Sequence, residues 1–382
     1  MRKIICCILL LCVCAAAVPV SAADAGISVA AKSAVLMDMA PGQVLVEQNA
    51  HEKLAPASVT KVMTMLLIME AINSGKIGWN DMVVTSEAAA AKGGSQVYLK
   101  VGEQMSVTDM LKSIAVSSAN DCACAMAEHI AGSEAAFVTL MNQRAQELGM
   151  LDTNFVNCTG LDDDPEAKNH LTSAYDIAIM SRELMLRHPQ IKTFTTIWMD
   201  TIRGGAFGLS NTNKMVRFYD GCTGLKTGFT SGAGYCLSAS AARNGLELIA
   251  VVMGSNTSAE RFAAAKSMLD YGFANFALYE PEIPEDAVVP VTLGKFSTVS
   301  AVPSESVQLL VEKNQISSIT AEVELEPMVT APVSMGQRLG TLTIKSQEQV
   351  LREIPLVAAE PVERLNWGDL TVKILRQIAM AK

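Results

Sequence analysis

The sequence is poor in charged residues and has no basic surface pattern, and beyond its first residues it has no apolar run long enough to cross a membrane. Charged residues make up 18% of the 382 residues and hydrophobic residues 50%, a balance that excludes a disordered chain. Because 39 acidic residues stand against 30 lysines and arginines, the electrostatic footprint of a nucleic-acid-binding protein is missing. The length suggests two domains, one of them large.

The one long apolar run lies at the N-terminus and is typical of a secretory signal peptide. Arg2 and Lys3 precede the apolar residues 4–18, and Pro19 and several small residues follow them. This order matches a charged region, an apolar region and a cleavage site, and the run is short for a membrane span. We therefore expect cleavage after Ala22 or the next alanine, which leaves 28 lysines and arginines against 39 acidic residues, a net charge of −11.

Cysteine is also scarce once the signal is removed. Five cysteines remain, an odd number that cannot all pair internally, and their spacings match no zinc pattern, so no metal site is expected. Small buried apolar residues are the favoured interpretation. A bridge between Cys222 and Cys236 stays open. The five are Cys122, Cys124, Cys158, Cys222 and Cys236.

Strand and helix patterns over residues 26–278 predict one large mixed α/β domain. Strand patterns lie near both ends of this region and helical patterns lie between them. We therefore expect one sheet assembled from distant segments, with an inserted helical lobe. The predicted strands are 33–38, its hairpin partner 42–47, 235–241 and 246–253. The predicted helices are 59–72, 107–131, 135–148, 173–186 and 259–276.

The composition changes near residue 283 and predicts two further segments. Short strand patterns broken by turn residues indicate a small antiparallel β domain over 283–359. It holds no set of candidate catalytic residues, which favours a spacer or docking role. In 361–382 the apolar residues, Trp367 among them, fall on one helical face. Such an amphipathic helix is able to lie in a membrane interface or to pack on the β domain.

The first of three short motifs is Ser58-Val-Thr-Lys61, at the start of a helical pattern. Ser58 and Lys61 are three residues apart and therefore share one helix face. The positive end of the helix favours an alkoxide on Ser58 and a neutral amine on Lys61. A buried lysine of lowered pKa can accept a proton from serine. The motif predicts a serine nucleophile with a lysine base, although for either residue taken alone an ordinary helix-start serine or exposed helical lysine is the favoured interpretation.

The second motif is Ser118-Ala119-Asn120, between an apolar stretch and a second helix that we expect to begin at Asp121. A hydroxyl and an amide two residues apart on a turn can face one cleft. Ser118 is then placed to relay a proton between Lys61 and the leaving amine, and Asn120 to hydrogen-bond the substrate's amide. A cluster that caps the second helix is the alternative.

The third motif is Lys226-Thr227-Gly228, which an apolar strand pattern follows. Lys226 offers a positive charge and Thr227 a hydroxyl for a carboxylate, and Gly228 allows the substrate backbone to approach the strand closely. The backbone N–H groups of Ser58 and Phe229 are candidates for an oxyanion hole.

These motifs resemble those of the serine-type D-alanyl-D-alanine carboxypeptidases, the low-molecular-mass penicillin-binding proteins of the bacterial cell wall. The resemblance covers nearly the whole chain after the signal and is most specific in residues 224–235. Arg261 falls where such enzymes carry an arginine near the substrate's terminal carboxylate. Ala119 departs from the pattern, because the family usually has glycine there.

The resemblance implies a β-lactamase/transpeptidase-like fold and a defined reaction. Ser58 would attack the bond between the two terminal D-alanines of a peptidoglycan stem peptide, and water would hydrolyse the acyl-enzyme. Penicillin and other β-lactams would acylate Ser58 as inhibitors, and no cofactor is needed. The implied location is the outer face of the cytoplasmic membrane, with residues 361–382 on the membrane surface.

Three alternatives remain. A class A β-lactamase would need a glutamate that activates water, and Glu166 lies in a suitable loop but without the pattern of those enzymes. A D,D-endopeptidase would use the same residues. A non-enzymatic wall-binding protein would not need the complete set. His170 is interpreted as structural rather than as part of a Ser-His-Asp triad.

Overall fold

The computed structural model describes residues 20–21, 25–282, 284, 287–305, 307–347, 349–369 and 371. The described residues form two compact units, a larger one that ends at Asn275 and a C-terminal one that begins at Phe276. Nearly all of the predicted signal peptide and most of the predicted C-terminal helix lie outside the described residues. Within the described part of the chain, no helix is both long enough and apolar enough to span a bilayer.

Six strands make the main sheet of the larger unit within the described residues, in the order β1-β3-β2-β10-β9-β8. Neighbouring strands are antiparallel, except that β1 and β3 are parallel. The sheet joins segments from both ends of the unit, as the sequence predicts. The strands described in this unit are β1 (Val20–Ser21), β2 (Ser33–Asp38), β3 (Val44–Gln48), β4 (Met82–Val84), β5 (Gln104–Ser106), β6 (Met199–Ile202), β7 (Phe207–Ser210), β8 (Cys222–Thr230), β9 (Gly234–Arg243) and β10 (Leu246–Ser255).

The helices supply most of the core that supports the sheet. Helix α1 is apolar around nearly its whole circumference and is buried accordingly. The side chains of Ser106, Ser133 and Ser173 accept backbone N–H groups at the starts of α3, α5 and α6 and so fix where these helices begin. The described α-helices are α1 (Lys61–Asn73), α2 (Glu87–Ala90), α3 (Val107–Ser117), α4 (Asn120–Ala131), α5 (Glu134–Glu147), α6 (Ala174–Arg187), α7 (Lys192–Thr195), α8 (Met215–Phe218) and α9 (Ser258–Asn275).

The helical pattern 107–131 forms two helices, separated at the turn that the second motif predicts. Ser118 has a left-handed backbone conformation, with φ of +62°, and ends α3. The second helix begins at Asn120, one residue earlier than predicted. A non-glycine residue in this conformation is uncommon, so the sequence carried no glycine signal for the break.

The C-terminal unit is a β structure. One sheet has the order β15-β17-β18-β13-β12-β16, and β11 pairs with β14. Along β15 the side chains alternate between more buried and exposed positions, as the charged-apolar pattern predicts. The described strands are β11 (Phe276–Tyr279), β12 (Val288–Thr292), β13 (Thr298–Pro303), β14 (Leu309–Glu312), β15 (Ile319–Leu325), β16 (Val329–Thr330), β17 (Arg338–Ser346) and β18 (Gln349–Ala358).

Two details of this unit differ from the expectation. It is not purely antiparallel, because β12 and β16 pair in parallel through Val291 and Val329. The expected end of the large domain at residue 278 falls inside β11, which pairs with β14 of the C-terminal unit. Isolated bridges at Val362 and Arg364 extend this unit beyond residue 359.

The cysteines are unpaired. All five cysteines beyond the N-terminal region are free thiols, and four of them are buried. Cys222 and Cys236 form no bridge, and the thiol of Cys222 donates to the carbonyl oxygen of Gly224 at 3.2 Å. The interpretation of small, mostly buried residues is therefore confirmed.

Candidate active site

Ser58 lies on a short 3₁₀ turn, Ala57–Thr60, that leads directly into α1. Its Oγ is 3.0 Å from Nζ of Lys61, the first residue of the helix. Lys61 is fully buried, and its Nζ also donates to the carbonyl oxygen of Thr159 at 2.8 Å. The turn is held in an unusual conformation, because Ala57 has a φ of +48°. The sequence motif therefore becomes a direct contact between a hydroxyl and an amine.

Gly160 allows a loop to pack against this turn. A Cβ at Gly160 would lie 1.8 Å from the carbonyl oxygen of Ala57, so any larger residue would displace the backbone. The same loop carries Thr159, whose carbonyl oxygen accepts from Lys61. Loop, turn and lysine are thus packed as one assembly.

Burial determines the protonation of Lys61. Loss of hydration lowers the pKa of its amine from 10.5 to about 7, although the Asp121 carboxylate acts in the opposite direction. A large fraction of Lys61 is therefore neutral near pH 7. A neutral amine 3.0 Å from a hydroxyl is able to take its proton.

Polar atoms without partners characterise the second motif. Ser118 Oγ and Asn120 Oδ1 are buried and have no hydrogen-bond partner among the described residues. The Nδ2 group of Asn120 donates to the carbonyl oxygen of Gly93 at 2.7 Å. Neither Ser118 nor Asn120 caps the start of α4. Of the described side chains only Asp121 binds its first turn, where Oδ1 accepts the backbone N–H of Cys122 at 2.9 Å. The capping alternative therefore holds for Asp121 but does not account for Ser118 and Asn120. Buried polar atoms without partners are costly and are typical of sites that receive a ligand.

The third motif lies on β8, the last strand of the main sheet's order. Lys226 is buried, and its Nζ donates to the carbonyl oxygen of Thr227 at 2.9 Å. Burial, together with the positive charges of Lys61 and Arg261, holds its pKa well below the usual value. Thr227 Oγ1 donates to Oγ1 of Thr212 at 2.7 Å.

Gly228 is the point where the first and third motifs touch. A Cβ at this position would lie 2.7 Å from the carbonyl oxygen of Pro56 and 3.0 Å from the backbone nitrogen of Ser58. The sequence suggested that this glycine makes room for the substrate backbone. The structure shows that it makes room for the turn that carries Ser58.

Phe229 and Arg261 complete the third motif. Phe229 is exposed, and its ring lies 4.3 Å from that of Tyr235. Arg261 is buried, and its Nη1 donates to the carbonyl oxygens of Gly228 at 2.8 Å and Cys236 at 3.2 Å. Its guanidinium therefore holds the backbone of the motif, and burial lowers its pKa.

Thr212 connects the second and third motifs, and sequence reasoning missed it. Its hydroxyl accepts from Thr227, and its backbone N–H donates to the carbonyl oxygen of Val116 in α3. Thr212 lies outside the three motifs, so it received no role from the sequence. Thr159 was missed as well, because it contacts Lys61 through a carbonyl oxygen that every residue carries.

Two further candidates lie apart from this chemistry. Glu166 is exposed on the 3₁₀ turn Pro165–Asn169, whereas the Lys61 amine forms hydrogen bonds with Ser58 and Thr159. Glu166 thus gives no support to the β-lactamase alternative. His170 is buried against Thr60 and not against Ser58, which agrees with its structural interpretation.

Comparison with known proteins agrees with this geometry. The family described as D-alanyl-D-alanine carboxypeptidase matches residues 18–257, and the family described as penicillin-binding protein 5, C-terminal domain, matches residues 282–364. The D-alanyl-D-alanine carboxypeptidase DacF of Bacillus subtilis is 44% identical over 88% of this chain and 87% of its own length.

The chain belongs to the D-alanyl-D-alanine carboxypeptidase family. Among solved structures, penicillin binding protein 5 from Haemophilus influenzae is 32% identical and superimposes with a TM-score of 0.74, covering 88% of this chain and 98% of that one. Penicillin-binding protein D2 from Listeria monocytogenes, in its ampicillin-bound form, is 31% identical with a TM-score of 0.59, over 64% of this chain and 98% of that one. The two family matches together cover most of both units.

Proposed function

We propose that this protein is a serine D,D-carboxypeptidase that removes the terminal D-alanine from peptidoglycan stem pentapeptides, and that penicillin acylates the same serine. One observation carries the proposal. Ser58 Oγ lies 3.0 Å from the amine of Lys61, whose burial lowers its pKa to about 7. Membership in the D-alanyl-D-alanine carboxypeptidase family supplies the substrate class.

In the acylation step, neutral Lys61 accepts the proton of Ser58 as Oγ attacks the carbonyl carbon of the penultimate D-alanine. The backbone N–H groups of Ser58 and Phe229 hold the oxygen on which negative charge develops. Ser118 then relays the proton from Lys61 to the leaving nitrogen, so that D-alanine leaves with an uncharged amino group. Its buried hydroxyl, free of other hydrogen bonds within the described residues, suits this relay.

Recognition of the free C-terminus is assigned to the third motif. Lys226 and Thr227 bind the terminal carboxylate. Arg261, whose guanidinium is bonded to the carbonyl oxygen of Gly228, adds positive charge nearby. A carboxylate beside Lys226 favours its charged form and so offsets the effect of burial. Asn120 holds the amide of the peptide through its unpaired Oδ1. Water then hydrolyses the acyl-enzyme, a step for which we propose no metal or cofactor.

We also propose that the protein is exported and that residues 361–382 attach it to the outer face of the membrane. The N-terminal pattern supports export. Trp367 is 86% exposed, which leaves its ring available to a membrane interface. Co-sedimentation with anionic lipid vesicles tests the attachment. Full-length mature chain should sediment, and a chain ending at residue 366, which keeps the bridges of Val362 and Arg364, should not. Equal sedimentation of the two chains would refute the attachment.

The main proposal is tested by release of D-alanine from a pentapeptide ending in D-Ala-D-Ala. Ser58→Ala should abolish both this release and labelling by fluorescent penicillin, whereas Ser74→Ala, at the far end of α1, should change neither. Turnover that survives in Ser58→Ala would reject the mechanism. Parallel assays with cross-linked dimers and with penicillin hydrolysis separate the endopeptidase and β-lactamase alternatives.

A further inference from the structure

His170 makes two sets of hydrogen bonds that join separate parts of the site. Its Nδ1 lies 3.0 Å from the backbone nitrogen of Val156 and 3.4 Å from that of Asn157. Its Nε2 lies 2.7 Å from Oγ1 of Thr60. The side chain is buried, so water does not compete for these bonds. The imidazole therefore spans from a loop to the turn that carries Ser58.

The hydrogen-bond partners define the tautomer. Nδ1 receives backbone N–H donors and so carries no proton, which leaves the proton on Nε2. Nε2–H then donates to Thr60, and the Thr60 hydroxyl donates in turn to the carbonyl oxygen of Ala57 at 2.8 Å. Each group in this chain of hydrogen bonds therefore donates to the next, from the loop through His170 to the turn.

Both ends of this chain of hydrogen bonds lie next to reacting groups. Ala57, with its strained backbone, directly precedes Ser58. The loop that begins at Val156 continues to Thr159, whose carbonyl oxygen binds the Lys61 amine. Asn157 Oδ1 accepts the N–H groups of Thr159 and Gly160, which makes this loop stiff. A shift at either end would alter the distance between Ser58 and its base.

We propose that His170 is a positioning residue that keeps Ser58 in reach of Lys61 by tying the turn 57–60 to the loop 156–159, and that only its neutral Nε2–H tautomer does so. The inference rests on the proposed acylation of Ser58. His170 touches neither Ser58 nor Lys61, so it acts through Thr60 and the loop backbone.

The surroundings of His170 favour the neutral ring. Burial and the nearby positive charge of Lys61 lower its pKa from 6.5 to about 4. The other groups against the ring are uncharged: the Thr60 hydroxyl, the edge of Phe155 with centroids 5.7 Å apart, and the loop amides. A proton added to Nδ1 would face two N–H donors and break the link to the loop. The link should therefore be intact above pH 5 and lost as pH falls through about 4.

Two amide variants separate the contact of Nδ1 with the loop from the contact of Nε2 with Thr60. His170→Asn keeps an acceptor near the loop but cannot reach Thr60, whereas His170→Gln keeps a donor near Thr60 but not the acceptor. Each should slow acylation by fluorescent penicillin about 10- to 100-fold, with little change in the apparent dissociation constant. His188→Gln is the matched control. It is another buried histidine, bonded to Asn73, about 18 Å along α1 from Lys61. It should change acylation less than about twofold.

The pH profile provides a readout that a purely structural role would not move. The logarithm of the acylation rate constant of the wild-type protein should fall by one unit for each pH unit as Lys61 gains its proton below pH 7. It should fall more steeply below about pH 4 as His170 also gains one. The second break should vanish in His170→Asn. Near-UV circular dichroism at each pH confirms that the protein remains folded.

Histidine nitrogen NMR of the wild-type chain tests the tautomer even if the variants do not fold. The chain has four histidines, and His170 should show a protonated Nε2 with no titration above pH 5. A protonated Nδ1, titration near 6.5, or His170 variants that are acylated at the wild-type rate would overturn the inference while Ser58 chemistry stands. A wild-type protein that penicillin does not acylate would instead reject the proposed function.

Discussion

Two fully buried lysines lie in the same site, and their surroundings differ. Lys61 opens a helix and contacts a hydroxyl and a loop carbonyl oxygen, whereas Lys226 lies within a strand and contacts the carbonyl oxygen of Thr227. Burial lowers the pKa of both amines. An anion, Asp121, opposes this effect at Lys61, while the charges of Lys61 and Arg261 reinforce it at Lys226.

The difference shows that burial alone does not assign a role. Lys61 can act as a base because a serine hydroxyl lies within hydrogen-bond distance. The contact of Lys226 is a carbonyl oxygen, which has no proton to give. Its amine is instead suited to regain its charge when a carboxylate arrives. The two environments therefore predict different responses to substitution.

The largest expected effect comes from Lys61→Arg. A guanidinium stays charged and cannot accept the serine proton, so acylation by penicillin should fall by about 10³-fold, within the range for a general base. Lys226→Arg keeps a positive charge and should reduce acylation only about tenfold. Stopped-flow measurement of acylation checks both. Equal losses in the two variants would mean that the lysines do not differ in role.

Gly228→Ala tests the contact between the two regions. The added Cβ would press on the carbonyl oxygen of Pro56 and the nitrogen of Ser58, so acylation should fall about 10²-fold. Gly208→Ala is the control, because Gly208 also lies in a strand and a Cβ there meets nothing within 4 Å. If both variants are acylated at the wild-type rate, the packing of β8 against the turn does not position Ser58.

The sequence predicted the contact made by Lys61 but not the contact made by Lys226. The spacing of Ser58 and Lys61 placed their side chains on one face, and the structure puts them in contact, although across a 3₁₀ turn into α1. The contact of Lys226 with its own strand has no sequence signal. The order of the longer strands and helices was predictable from periodicity and from apolar runs such as those of β2 and α1, which are buried on nearly all sides.

Other features of the site depend on tertiary packing and could not be predicted. The turn at Ser118 was expected before a second helix, but its left-handed serine conformation was not, because no glycine marks it. Thr159 contributes only a carbonyl oxygen, and Gly228 contributes only the absence of a side chain where two backbones meet. Each of these depends on what another segment brings close, and a single sequence does not contain that information.

Lys226→Gln sharpens the comparison through the substrate. Loss of the charge should reduce kcat/KM about 30-fold for a peptide ending in D-Ala-D-Ala, since a hydrogen-bonded charge pair is broken. The same peptide with a C-terminal carboxamide lacks the charge, so the variant should treat it nearly as the wild-type protein does. Hydrolysis of both peptides, followed by release of the C-terminal residue, checks this. An equal loss on both peptides would show that Lys226 does not read the carboxylate.

The smallest effect concerns protonation of Lys61 without any substitution. Its amine must be neutral to accept the serine proton, and its pKa is about 7. Acylation should therefore be near its maximum above pH 8 and should fall about tenfold for each pH unit below 6. Lys226 would give the same sign if it were the base, so the profile is also recorded for Lys226→Gln. The break near pH 7 should remain in that variant, because Lys61 is still present. Its disappearance would transfer the role of base from Lys61 to Lys226.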